Sequence, residues 1–319
     1  MINTQIPFDD VKEKIEQAQS ITILSHLNPD ADTLGTALGI YALLVKDKKV
    51  EVVNASNNLP HYLDFLPNFK KMKHKMDYVD SLIISCDCGS VDRLGFDLEG
   101  RDIINIDHHQ SNTMYGSINV VIAEYASASQ VAYALFEKLY LIDADAATCF
   151  YTALLSDTRY FTTASVNEEV FCVAKALVSR GAVPEKIAYN FTQRRPLSSV
   201  RILEKALASL TLYKEAKVAT LCVSKNDIVS SGATVPDMEG IVDYARSLVT
   251  VEVALFAMEL DEGIRISLRS KKVDISRVAL AFGGGGHKVA AGFTLTQCGL
   301  QESIDIILNK IESLGLING

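Results

Sequence analysis

Over residues 1–190, short unbroken apolar runs alternate with longer segments whose apolar residues recur every three or four positions. The short runs predict strands buried on both faces and the longer ones predict amphipathic helices. Their alternation predicts βαβ units on a parallel sheet. Strands are expected at 21–24, 50–54, 82–85, 103–106 and 116–121, and helices at 7–19, 33–46, 128–140, 144–155 and 168–179. Gly181 and then Pro184 close the last of these helices. Pro196 begins a further periodic segment, 197–210, expected as a connecting helix. Strands at 217–223, 251–259 and 263–268, with a helical stretch at 275–282, describe a smaller α/β domain with a mixed sheet. The expected organisation is an α/β protein with an N-terminal parallel-sheet domain, helices on both faces, over 1–190. A linker at 191–212 and the smaller domain at 213–319 complete it. For 319 residues, two domains are the natural number.

Three of the expected strands end in metal-competent side chains. The run 103–106 leads into Asp107-His108-His109, and 82–85 leads into Cys86-Asp87-Cys88. The run 21–24 leads into Ser25-His26-Leu27-Asn28-Pro29-Asp30-Ala31-Asp32, and Asp157 follows the apolar helical stretch 149–155. In α/β proteins ligands collect outside the carboxyl ends of strands, so these groups are delivered where a site would form. Pro29 keeps its segment out of a helix, so Asp30 and Asp32 are expected to face one side of an extended loop. Asp32 as the cap of the following helix is the plainer alternative. Four of the six histidines, His26, His108, His109 and His287, sit in such motifs or in one glycine-rich motif. The other two, His61 and His74, lie in a polar stretch and are expected to be solvated.

Four aspartates and two or three imidazoles exceed what one divalent ion needs. A mixed carboxylate and imidazole set suits Mn²⁺ better than Mg²⁺, with Zn²⁺ as the main competitor. Two ions about 3.5–4 Å apart clamp the attacking and leaving oxygens of a phosphoryl displacement. One carboxylate must bridge them, and Asp87, alone on its strand, is the natural candidate. A bridging hydroxide is then the expected nucleophile. The residues by themselves point to metal-assisted hydrolysis of a phosphate ester.

These motifs resemble those of the DHH phosphoesterase superfamily. SHLNPDADTLGTALG is similar to its first motif, SCDCGSVDRLG to its second, NIDHHQSN to its third and LLSDTRYF to its fourth. SLRSKKVDISRVALAFGGGGHKVAAGF is similar to the DHHA1 substrate-binding motif, so the resemblance runs from about Ser25 to Phe293. Size and motif order are most similar to the stand-alone nanoRNase/pAp phosphatase branch. The resemblance implies one ion held by His26, Asp30 and Asp87, and another held by Asp32, Asp87, His108 and Asp157. It implies His109 near the scissile phosphate, and a catalytic group of Asp87, Asp107 and His109. One departure is visible: relatives often carry glycine after the Asp-Thr pair, and this chain has Arg159. The implied substrates are very short oligoribonucleotides, dinucleotides and 3′,5′-bisphosphonucleosides such as pAp. Cyclic or linear dinucleotides are an alternative within the same motifs. A RecJ-like exonuclease and a nucleotide sensor without turnover are weaker ones.

The second half carries Gly283-Gly284-Gly285-Gly286-His287 after the helical stretch 275–282. Four consecutive glycines are not expected to stabilise a helix or strand, since each loses more backbone entropy than any other residue. They are expected to let backbone amides approach an anion, with a helix start beyond adding its positive end. Arg269-Ser270-Lys271-Lys272 lies upstream, in a strand and turn. With the resemblance, Arg269, Ser270, Gly284, Gly285, Gly286 and His287 become candidate substrate contacts, while Lys271 and Lys272 are bystanders.

Composition narrows the partners. Net charge is −8, and basic residues occur only in small clusters. Long nucleic acids call for a basic stripe, so a small anionic substrate fits better than double-stranded nucleic acid. No apolar run reaches membrane-spanning length, and the first residues lack a signal peptide's pattern, so a cytoplasmic protein with no membrane partner is expected. Cys149, Cys172, Cys222 and Cys298 lie in apolar stretches and are expected as reduced core residues. Cys86 and Cys88 flank Asp87, and strand alternation is expected to turn both away from its carboxylate. Nothing in the chain decides between a monomer and a homodimer.

Overall fold

The computed structural model describes residues 6–56 and 58–317. It divides into two compact units, one through Arg194 and one from Arg195 onward. The first contains, in chain order, α1 Phe8–Gln17, β1 Ile21–Ser25, α2 Ala31–Leu44, β2 Val50–Val53, β3 Met72–Lys73, β4 Leu82–Cys86, β5 Ile103–Asp107 and β6 Ile118–Val121. Helices α3 Ala128–Phe136, α4 Ala144–Asp157, α5 Glu168–Ser179 and α6 Pro184–Thr192 follow. All six strands pair in parallel in the order β3-β2-β1-β4-β5-β6. The order reverses between β1 and β4, which makes the crevice beyond their carboxyl ends the natural ligand position.

The apolar runs expected as strands form because β1, β2, β4 and β5 are buried along their whole length. Ile21, Ile23, Ile84, Ile104 and Ile106 pack with the helices into the larger core. Leu24, Val53, Ile83 and Ile103 pack the other way, against Cys88, Leu94 and Leu98. Helix α2 is buried on every side, and its glycines let α4 come close. A Cβ at Gly35 would lie 2.7 Å from the Cys149 carbonyl oxygen, and one at Gly39 would lie 2.3 Å from the Phe150 ring. Helix α6 was not foreseen: Pro184 opens a helix there, its fixed φ suiting the first turn, instead of only marking the end of α5.

The second unit contains α7 Leu197–Ala208, β7 Thr211–Tyr213, β8 Val218–Val223, α8 Lys225–Ser231, α9 Ile241–Arg246, β9 Val253–Leu260, β10 Gly263–Ser270, α10 Ser276–Ala281, β11 Gly285–His287, β12 Ala290–Leu295 and α11 Leu300–Ser313. Its sheet is mixed, in the order β11-β12-β10-β9-β8-β7, with β8 and β9 parallel and the other pairs antiparallel. Helix α7 belongs to this unit's core through Ile202 and Ala206. Among the described residues, no helix is long and apolar enough to cross a membrane.

The six cysteines are free. Cys149 is buried, but Cys172 is exposed and Cys222 and Cys298 are only partly covered, which corrects the expectation of four core residues. Cys172 lies on α5, whose buried face is instead Val170, Val173, Ala174 and Leu177.

Candidate metal centre

The end of β1 delivers His26, the end of β4 delivers Asp87, and the end of β5 delivers Asp107, His108 and His109. Asp30 caps α2: its Oδ1 accepts the Asp32 and Thr33 N–H groups at 3.0 and 3.1 Å. Asp32 is therefore neither the cap nor part of an extended loop. It lies in the first turn of α2, because Asp30 supplies the acceptor that starts the helix one residue after Pro29-Asp30. The Asp32 carboxylate accepts instead from the Ala128 and Ser129 N–H groups, at 2.7 and 3.2 Å, where α3 begins. The positive end of α3 is thus aimed at it. Asp157 is the last residue of α4, and the close approach of α2 to α4 brings it toward Asp32.

Among the described residues, three groups have ligand atoms within 4.8 Å of one another: His26, Asp30 and Asp87; Asp32, His108 and Asp157; and Asp87, His108 and His109. Asp87 links the first and third. Its Oδ2 lies 3.6 Å from His26 Nε2, and its Oδ1 lies 3.6 Å from His108 Nε2 and 3.5 Å from His109 Nδ1. His108 Nε2 also lies 3.7 Å from Asp32 and 3.6 Å from Asp157.

Both inner imidazoles have a fixed tautomer. His26 Nδ1 lies 2.8 Å from the Leu27 carbonyl and His108 Nδ1 lies 3.2 Å from that of Tyr125. A carbonyl only accepts, so each Nδ1 carries the hydrogen and each Nε2 presents a lone pair to the carboxylates. That is how protein-held imidazoles are set to ligate a metal.

Asp87 adopts a left-handed backbone conformation, with φ of 55°, and its N–H donates to Ile106 at 2.9 Å. Cys86 and Cys88 pack into separate apolar clusters on either side of it. The left-handed turn at Asp87, beyond the end of β4, sets its carboxylate apart from the strand's alternation. Asp87 Oδ1 is buried and, among the described residues, accepts no hydrogen bond. A buried carboxylate oxygen without a donor is costly unless a cation completes it. Desolvation, then repulsion from Asp32, Asp30, Asp107 and Asp157, pushes the Asp87 carboxyl well above its ordinary range. Asp157 is pushed up to about 7 by desolvation and by Asp32, against the attraction of His108. Burial also raises Asp32. Burial lowers His26, whereas Asp32 and Asp157 outweigh burial and raise His108. Carboxylate oxygens and inward imidazole lone pairs at this spacing fit divalent ions.

Asp107 sits elsewhere. It is fully buried, and its oxygens accept from His109 Nδ1 at 2.7 Å, the His108 N–H at 2.7 Å and Asn112 Nδ2 at 2.5 Å. Burial alone would raise its carboxyl, but these hydrogen bonds hold it below the usual range. Both Asp107 oxygens are thus engaged, one by His109 Nδ1 and the His108 N–H and the other by Asn112. Asn112 escaped notice in the sequence although it closes the NIDHHQSN motif. It also donates to the Cys88 carbonyl at 3.1 Å, tying the β4 and β5 ends together.

In the second unit, the glycine motif differs from expectation. Gly285 and Gly286 belong to β11, which pairs antiparallel with β12, and the chain continues into that strand and not into a helix. The glycines serve close strand approach: a Cβ at Gly284 would lie 2.3 Å from the Gly292 oxygen, and one at Gly286 would lie 2.4 Å from the Ala290 oxygen. Ala290 pairs with His287 on one side and Arg269 on the other, so Arg269 and His287 share one face, separated by a methyl group. Arg269 and Ser270 end β10, which runs two residues beyond its expected end. Ser270 is buried, with its hydroxyl bonded to the Val273 carbonyl at 2.5 Å. That leaves it badly placed for substrate. His61 and His74 are exposed, as expected.

Residues 20–154 match the DHH family, N-terminal domain, and residues 215–314 match the DHHA1 domain. The chain is 30% identical to the bifunctional oligoribonuclease and PAP phosphatase NrnA of Thermus thermophilus, over 91% of this chain and 89% of that one. It is 27% identical to the probable bifunctional oligoribonuclease and PAP phosphatase NrnA of Streptococcus mutans, over 89% and 92% of the two chains. Its fold is similar to that of an exopolyphosphatase-related protein from Bacteroides fragilis, with a TM-score of 0.88, 27% identity and 96% of both chains covered.

Proposed function

Since this chain belongs to the DHH family of phosphoesterases and is a metal-dependent hydrolase, we propose that it cleaves short oligoribonucleotides to mononucleotides and 3′,5′-bisphosphonucleosides to nucleoside monophosphates. The observation that carries the chemistry is Asp87: buried, without a hydrogen bond on Oδ1 among the described residues, and shared between ligand sets. The substrates follow from the two relatives above, both named for these activities and matched over most of their length.

His26, Asp30 and Asp87 would hold one ion, and Asp32, Asp87, His108 and Asp157 a second. Mn²⁺ suits this mixture of nitrogen and oxygen donors. When bound, such ions concentrate positive charge on the reacting phosphate and acidify the attacking water. The chain's own residues do the positioning. The Leu27 and Tyr125 carbonyls keep the His26 and His108 lone pairs directed inward. The α3 amides hold the Asp32 carboxylate in place. Asp107 anchors His109 through Nδ1, which leaves Nε2 as the nitrogen available to a phosphate oxygen. We assign nucleotide recognition to the face of the second unit that carries Arg269, His287 and the small residues Gly285, Ala290 and Gly292. Free cysteines and short anionic substrates suit a reducing cytoplasmic setting.

Product analysis with Mn²⁺ tests the reading on a panel of 3′,5′-bisphosphoadenosine, di- to pentanucleotides, cyclic diadenylate and pyrophosphate. AMP from the first and mononucleotides from the short oligomers are expected. Turnover of pyrophosphate or cyclic diadenylate alone would overturn it.

A further inference from the structure

Asn112 lies in the turn that leaves β5, and each polar atom of its amide has partners on neighbouring segments. Nδ2 donates to Asp107 Oδ2 at 2.5 Å and to the Cys88 carbonyl at 3.1 Å. Oδ1 accepts from Asn105 Nδ2 at 2.9 Å and from the Met114 N–H at 2.7 Å. Carboxylates and carbonyls only accept and a backbone N–H only donates, so the amide cannot turn over without losing these bonds. Asn105 is held in its turn, because its Nδ2 also donates to Asn119 Oδ1 at 3.0 Å. The backbone is tied down too. The Asn112 N–H donates to the His109 carbonyl at 3.1 Å, and the Thr113 N–H donates to the Gly89 carbonyl at 2.9 Å.

The two oxygens of Asp107 are thereby divided. Oδ1 takes His109 Nδ1 and the His108 N–H, both at 2.7 Å, and Oδ2 takes Asn112. The two oxygens of a carboxylate swing together about one bond, so a donor on Oδ2 sets where Oδ1 stands. Oδ1 in turn sets the ring of His109. The Cys88 carbonyl, next to Asp87, has a further donor in the Tyr115 hydroxyl at 3.0 Å, and the Asp87 N–H is held by Ile106 at 2.9 Å. Loss of Asn112 therefore falls on the Asp107–His109 pair more than on the turn that carries Asp87.

We propose that Asn112 is a positioning residue for His109, acting through Asp107, so that three side chains in series aim the imidazole at the reacting phosphate. This rests on the hydrolytic reading above and deepens it. Asn112→Ala should lower kcat for 3′,5′-bisphosphoadenosine about 10–100-fold, the usual loss for an outer-shell partner, with KM and bound Mn²⁺ nearly unchanged. In a His109→Ala background the same substitution should change kcat little, because its effect passes through the missing imidazole. Exchanging the partners is the sharper kinetic test. Asp107→Asn alone is free to turn its amino group toward His109, and Asn112→Asp alone sets two carboxyls face to face. The double variant restores one donor and one acceptor, and should recover part of what either single variant loses.

A proton signal makes the test independent of turnover. The His109 Nδ1–H, held between ring and carboxylate, should give a downfield proton resonance in the Mg²⁺-loaded full chain, assigned by its absence from His109→Ala. In Asn112→Ala it should weaken through exchange with water. Equal kcat losses with and without His109, an exchange variant no better than the single ones, loss of Mn²⁺ from Asn112→Ala, or an unchanged proton resonance would each overturn the proposal. A wild-type protein that turns over neither bisphosphoadenosine nor short oligoribonucleotides would overturn the hydrolytic reading instead, and the proton resonance would still decide the role of Asn112.

Discussion

Glu51 and Asp87 are buried carboxylates on the same parallel sheet, one toward the amino ends of its strands and one beyond the carboxyl ends. Glu51 is fully satisfied. It accepts from the Thr22 hydroxyl at 2.8 Å, from Lys73 Nζ at 3.0 Å, and from the N–H groups of Asp77 and Tyr78 at 3.1 Å. Asp87 has three imidazoles at 3.5–3.6 Å and no donor on Oδ1. The first carboxylate is completed by the protein, which makes it a structural element. The second keeps an oxygen that no donor among the described residues completes, as a cation site requires. Burial alone does not distinguish them; the accounting of donors does.

The severest way to break this contrast is Asp87→Asn, which keeps the shape but removes the shared anionic ligand. Turnover of bisphosphoadenosine should fall by more than the roughly 10²–10³-fold that one stabilising donor is worth. Bound Mn²⁺, measured by mass spectrometry, should fall with it. Near-normal turnover with both ions retained would erase the distinction.

Glu51→Ala comes next. It strands the N–H groups of Asp77 and Tyr78 and should cost about 3 kcal/mol in urea denaturation, while the folded variant keeps its Mn²⁺ stoichiometry. Loss of metal from folded Glu51→Ala would mean that the two regions are not separate.

Asp87→Asn in chelator sharpens the comparison from the other side. Removing a buried, repelled charge should stabilise the metal-free protein by roughly 1–2 kcal/mol. A destabilisation like that of Glu51→Ala would count against an unsatisfied carboxylate.

The gentlest test changes only pH. Asp87 and Asp157 are raised in the folded state, so the folded protein holds more protons than the unfolded chain above the ordinary carboxylate range. Metal-free stability should therefore decline between about pH 5 and 8, by up to about 1.4 kcal/mol per unit for each extra proton held. With Mn²⁺ the slope should reverse, because ions and protons compete for the same oxygens. A flat profile in chelator would contradict the raised carboxyls.

The central strands were legible in the sequence because burial on both faces writes them as unbroken apolar runs. The candidate ligands stood out because polar groups follow those runs abruptly. Where meaning depends on a distant partner, legibility fails. Glu51 sits in a run, Val50–Val53, that reads as any buried strand, and its partners Lys73, Asp77 and Tyr78 come more than twenty residues later. The glycines before His287 were misread because local entropy argued against a strand, while the adjacent β12 required them to be small. The capping role that Asp32 offered falls instead to Asp30 because α2 begins two residues earlier than its periodicity indicated. Short elements such as α8, α9 and β7 have too few turns or residues to show a period.

The glycines of α2 have a consequence for how the ion site could diversify. Asp32 and Asp157 ride on α2 and α4, and the distance between these helices is set by side chains absent at Gly35 and Gly39. A single methyl group at Gly35, one helical turn beyond Asp32 and outside the ligand set, would wedge the helices apart and widen the cage without altering its donors. With ions bound, the size of the cage would depend on residues outside the ligand set. Selectivity between smaller and larger cations would then be open to tuning at Gly35 as well as among the aspartates.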